Sequence, residues 1–130
     1  MLFWIKTSLV ANLAILVPVC SSLARATRQP SSEITKRMNY VYGIDTNARR
    51  ILTCMYTSLG IVSGAILIYP QHFEMYAPAI LGFQILYKLQ TAAVLPVNNP
   101  VLIANLGVSC LHTITLYQWY SNSTNGDNAK

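Results

Sequence analysis

Acidic side chains are almost absent from this sequence. Of 130 residues, four are Asp or Glu and nine are Lys or Arg. Soluble domains carry about 25% charged residues; here the share is 10%, against 53% hydrophobic. So few charges do not clothe a water-exposed globule of this size, which excludes a large soluble catalytic domain. Intrinsic disorder is excluded from the other side, because disordered chains are poor in apolar residues. Cysteine is scarce as well. Cys20, Cys54 and Cys110 are odd in number and fit no CxxC or zinc spacing. In their apolar surroundings they read as small packing residues. The sequence has no P-loop, dinucleotide fingerprint, HExxH motif or nucleophile triad.

What the sequence does have is long apolar runs. Residues 2–19, 51–69, 76–97 and 101–119 each approach the roughly 20 residues that cross a bilayer core. The expected fold is an all-α integral membrane protein with four transmembrane helices in an antiparallel up-down bundle. Residues 1–120 form its single domain, and 121–130 a flexible polar tail. Pro18, Pro70, Pro78 and Pro96 fall near run ends, where a lost backbone hydrogen bond costs least. Ser32 and the Asp45-Thr46-Asn47 triplet are helix-start signals. Gly60 and Gly64 form a GxxxG pair beside Ser63, a face suited to close helix packing.

The first run also has the features of a signal peptide: a basic residue, an apolar centre and the small-residue motif Ala24-Arg25-Ala26. Cleavage there would leave three helices. Cys20 as a lipoprotein cysteine is a weaker reading, since Val19 precedes it where a small residue is usual. Export after Ala26 would carry most of the basic residues outward, against the positive-inside tendency. An uncleaved helix is therefore expected.

The net charge of +5 is concentrated in the loop 21–50, at Arg25, Arg28, Lys36, Arg37, Arg49 and Arg50, with only Glu33 and Asp45 opposing. Placed between apolar runs, this is a membrane-proximal basic loop rather than a nucleic-acid surface. Anionic lipid adds about 1 kcal/mol per nearby basic residue. The loop is expected on the cytoplasmic or equivalent side, with turn 71–75 and the C-terminus opposite and 98–100 on the loop's own side. Trp4, Tyr69, Phe73, Tyr76, Tyr117, Trp119 and Tyr120 then form an outer aromatic belt. The sequon Asn122-Ser123-Thr124 falls on the same side.

Two polar faces interrupt the last two runs. Gln84, Lys88 and Thr91 share one helical face, and Asn105, Ser109 and His112 another. Counting 1.5 Å per residue from the inner ends places Lys88 about 14 Å deep and His112 about 17 Å deep. The two faces overlap near mid-membrane if they turn toward each other. A charged lysine facing lipid there would cost about 3 kcal/mol or more, so Lys88 is expected to face protein, water or a ligand.

Two functional readings follow. In the first, the chain is a small accessory or structural subunit of a larger membrane complex, and a partner carboxylate meets Lys88. In the second, it is a small oligomeric transporter or channel using the Lys88/His112 site, since four helices rarely enclose a pathway alone. Other integral membrane subunits, lipid and a homo-oligomer are the expected partners. An enzyme is not expected, because the chain lacks the carboxylate or metal-ligand set such chemistry needs; a non-catalytic subunit of an enzyme complex fits. Haem or pigment through His112 is a minor alternative. His72, the other histidine, lies at the outer boundary and not at a common height with it.

Overall fold

The computed structural model describes residues 3–127, apart from the side chains of residues 73, 74 and 125–127. Every element among the described residues is helical. Helix α1 spans Phe3–Arg28, α2 Glu33–Tyr42, α3 Asn47–Ile68, the short α4 Pro70–Phe73, α5 Ala77–Val94 and α6 Pro100–Asp127; a 3₁₀ turn, Glu74–Tyr76, joins α4 to α5.

Three helices are long and apolar enough to cross a membrane: Phe3–Arg28, Asn47–Ile68 and the Pro100–Thr124 part of α6. The expected fourth span is not among them. α5 has 18 residues, and Gln84, Lys88 and Gln90 dilute its apolar character. Three further boundaries differ from expectation. α1 runs well past Pro18 and residue 19 to Arg28; Ser21 Oγ donates to Pro18 O at 3.0 Å. Within 21–50 the chain forms the end of α1, then α2, then a tight corner into α3. Residues 121–127 continue α6 where a flexible tail is expected. Residues 128–130 lie outside the described residues.

The local signals explain where elements start and stop. Ser32 caps α2 by accepting from Thr35 N, and Thr46 caps α3 by accepting from Arg49 N. Each satisfies an N–H that the first helical turn leaves unpaired. Pro70 follows the end of α3, Pro78 sits in the first turn of α5, and Pro100 opens α6. Pro is tolerated at helix starts because its missing N–H has no intrahelical partner there. Asn99 joins two parts of the fold: its Oδ1 accepts from Val101 N at 2.8 Å and its Nδ2 donates to Val41 O at 3.3 Å. The connection before α6 and the C-terminal end of α2 therefore lie at the same end of the molecule.

Packing does not follow chain order. α1 lies along both α3 and α6, and α5 lies along α6, whereas α3 and α5, joined by only the short α4 and the 3₁₀ turn, touch lightly. The N-terminal helix is thus central. It contributes Ile5 and Leu9 to a buried cluster with Ile66, Ala77 and Leu81, and Leu16 to a second with Tyr56 and Leu59. Partly buried Leu116 and Trp119 pack on the first cluster, and Tyr42 and Tyr87 on the second. The Trp4 carbonyl accepts from Thr115 at 3.3 Å. The Phe73 side chain lies outside the described residues.

The corner between α2 and α3 is tied by Arg49, which is 4% exposed. Its Nη1 donates to Asn39 Oδ1 and to Gly43 O, both at 2.7 Å. Gly43, at φ 78°, turns the chain there; a side chain in that left-handed conformation would be strained. Asp45 takes Arg50 at 2.9 Å and Arg49 at 3.5 Å. The Arg50 guanidinium, bonded to it, and then the Arg49 charge hold the Asp45 carboxyl below the usual carboxylate range. The cysteines are free, and Cys54 and Cys110 are exposed rather than packed inside the chain.

Candidate functional site

Polar side chains buried between the helices fall into two groups. The first ties α1 to its neighbours. Asn12 Nδ2 donates to Ser63 Oγ at 3.1 Å, joining α1 to α3. Ser8 Oγ lies 2.6 Å from His112 Nδ1, joining α1 to α6. The Thr115 hydroxyl sits 3.2 Å from Ser8 Oγ and 3.3 Å from Trp4 O. Ser8, Asn12, Ser63, His112 and Thr115 are each at most 1% exposed. Such buried pairs hold membrane helices together at roughly 1 kcal/mol each.

The second group lies between α5 and α6. Asn105 Nδ2 donates to Thr91 Oγ1 at 3.2 Å and fixes the antiparallel register. Gln84 precedes Thr91 by seven residues, and His112 follows Asn105 by seven. Both are two turns farther out on their helices, so they share a level. Lys88 and Ser109 share the level between. The two polar faces read from the sequence are thus brought together along one interface.

What sets this interface apart is its lack of partners. Gln84 is fully buried, and among the described residues neither its Nε2 nor its Oε1 has a hydrogen-bond partner; Ser109 Oγ and His112 Nε2 are likewise buried without one. Leaving such a group unmet costs about 1–3 kcal/mol. Ser8 holds one imidazole nitrogen of His112, and the other is buried on the unsatisfied side. A macrocycle bound at Nε2 would have to displace the side chains that enclose it.

Lys88 is 3% exposed. Its Nζ donates to Tyr87 Oη at 2.7 Å and lies 4.7 Å from the Tyr87 ring centre. Glu33 is engaged by Lys36 and Asp45 by Arg49 and Arg50, so neither carboxylate neutralises Lys88. Lys88 instead lines a cavity of about 280 Å³, with Ile15, Leu16 and Val19 of α1, Met38, Val41 and Tyr42 of α2, Tyr56 of α3, and Pro100, Val101, Ala104 and Asn105 of α6. A neighbouring cavity of about 430 Å³ shares Val41, Tyr42, Tyr56 and Val101 with it and reaches Tyr87 and Thr91. Burial pushes the Tyr42 phenol well up, so it stays a neutral hydroxyl at physiological pH.

Gly60 and Gly64 do not form a tight crossing within the chain. A β-carbon on Gly60 would meet only Leu13, at 3.9 Å, and one on Gly64 would meet nothing within 4 Å. Among the described residues, no group of three or more His, Cys, Asp or Glu side chains is placed to hold a metal ion.

Ser8, Asn12, Thr115 and the tyrosines around Lys88 are parts of the site that the two helical faces alone do not reveal. Ser8 and Asn12 carry a signal, being one turn apart in an apolar helix. The tyrosines carry none, because a tyrosine in an apolar run reads equally well as core. Comparison with protein-family models, curated proteins and solved structures gives no match.

Proposed function

We propose that this chain is a small membrane transporter or channel that passes a small anion through the polar interface of α5 and α6, working as an oligomer of itself. The observation that carries this reading is the position of Lys88. It is turned into a cavity of its own chain rather than out toward a partner, and neither Glu33 nor Asp45 offsets its charge. A buried cation selects anions and repels cations. The unpartnered polar atoms of Ser109, level with Lys88, and of Gln84 and His112, one turn beyond it, replace part of the hydration an anion loses. α5 acts as the fourth membrane span, short but packed along α6, which completes a four-helix up-down bundle. The α2 end faces the cytoplasmic or equivalent side, because the basic residues gather there.

A second reading, a subunit of a larger membrane complex, draws on Gly64. The small-residue face of α3 is left open in the single chain and suits a partner helix, from another copy or another protein. One experiment separates the two. Purified protein in proteoliposomes is expected to pass chloride or acetate, with Lys88→Met reducing flux at least about tenfold while the protein stays folded. Its particle mass in mild detergent is expected to be a multiple of this chain. No flux, together with co-purification of other membrane proteins, would establish the subunit reading instead.

A further inference from the structure

The Lys88 cavity is built for more than a bare ion. Most of its lining is hydrocarbon, with Ile15, Leu16, Val19, Met38 and Val41 on one side. Its polar lining residues are Lys88, Asn105, Tyr42 and Tyr56. Among the described residues, no Asp or Glu lines this cavity or its neighbour. A halide there would leave the apolar walls unused. A cationic amphiphile would meet Lys88 with like charge. A phosphate monoester, at about −1.5 to −2, carries more charge than one lysine offsets. We propose that the cavity binds an amphipathic monocarboxylate, its carboxylate on Lys88 and Asn105 and its apolar body along α1 and under α2. This names the substrate class of the same site and rests on reading Lys88 as the anion-binding residue.

The geometry supplies what such a ligand needs. Desolvating a carboxylate is costly unless charge and hydrogen bonds replace water. Lys88 Nζ spends one of its three N–H donors on Tyr87. Asn105 spends one of two on Thr91. Both side chains retain donors for a two-oxygen acceptor. The volume, about 280 Å³ with a further 430 Å³ adjoining, is in the range of small-molecule sites. α2 forms the roof, and its placement depends on the Asn99 bond to Val41 O and the Arg49 bonds to Asn39 and Gly43.

The test is equilibrium binding of decanoate, labelled at its carboxyl carbon and followed by NMR, to the full chain in a neutral detergent. Acetate and decyltrimethylammonium are the comparison ligands. Saturable decanoate binding is expected, with acetate weaker and the cation absent. Lys88→Met is expected to weaken decanoate at least about tenfold, or about 1.4 kcal/mol, while Lys88→Arg retains it. Ala104→Phe fills the cavity while leaving the lysine in the sequence and is expected to weaken it as well. Equal binding by wild type and Lys88→Met, or equal binding of the cationic amphiphile, would overturn the proposal. Chloride flux without saturable decanoate binding would also overturn it, and would leave anion transport standing. Saturable, Lys88-dependent decanoate binding without flux of any anion would support the site and defeat transport.

Discussion

Two buried polar regions lie side by side in this bundle, and they are satisfied to different degrees. Around α1, Asn12 meets Ser63, Ser8 meets His112, and Thr115 meets Ser8 and Trp4 O. Between α5 and α6, Gln84, Ser109 and one nitrogen of His112 meet nothing, and Lys88 has a tyrosine hydroxyl in place of a carboxylate. A paired polar group inside an apolar bundle fixes which helices touch and in what register. An unpaired one costs stability and suggests a partner of another kind. His112 belongs to both regions, one nitrogen in each.

The largest test of this contrast is Gln84→Leu. Removing an unsatisfied buried amide is expected to stabilise the fold, by up to about 1–3 kcal/mol, while lowering transport. Thermal unfolding in detergent reads the first effect and vesicle flux the second. Loss of stability would mean that Gln84 is held by contacts of its own, and the contrast would fail. Asn12→Val should have the opposite sign. It strands the Ser63 hydroxyl and is expected to cost about 1–2 kcal/mol with little direct effect on anion binding. The smallest effect belongs to the α2–α3 corner. Its aspartate is held below the ordinary carboxylate pKa, chiefly by the Arg50 hydrogen bond. The stability it lends is therefore complete above about pH 4 and lost as pH falls through the depressed value. Asp45→Asn should flatten that acid dependence of the unfolding midpoint without changing its value at neutral pH by much. An unchanged acid profile would show that the corner does not depend on this ion pair.

Much of the fold is legible along the chain because its signals are local. The apolar runs around Ile51–Tyr69 and Val101–Trp119 fall within α3 and α6 or reach one residue past them. Ser32 and Thr46 cap the helices they precede. The polar faces of α5 and α6 are also readable, since a turn as short as 98–100 makes its helices antiparallel neighbours. Other features are not local. Nothing in the composition of residues 20–28 separates a helix that continues past a proline from a loop. Thr35 decides this from a distance, its hydroxyl lying 3.1 Å from Ala26 O and 2.7 Å from Gln29 O. Residues 121–127 are polar enough to read as a tail, yet α6 continues through them.

The sequence by itself determines that this is a helical chain with several apolar helices, a basic segment between the first two, and a lysine within the apolar run 76–97. These follow from composition and period, which each residue carries with it. The tertiary structure alone decides that α1 is the central helix and that Ser8 takes one nitrogen of His112. It alone decides that Lys88 turns into a cavity roofed by α2. Those outcomes depend on which side chains meet across more than fifty residues of chain, as Asn12 and Ser63 do. Periodicity says which face a residue occupies, and only packing says what that face meets.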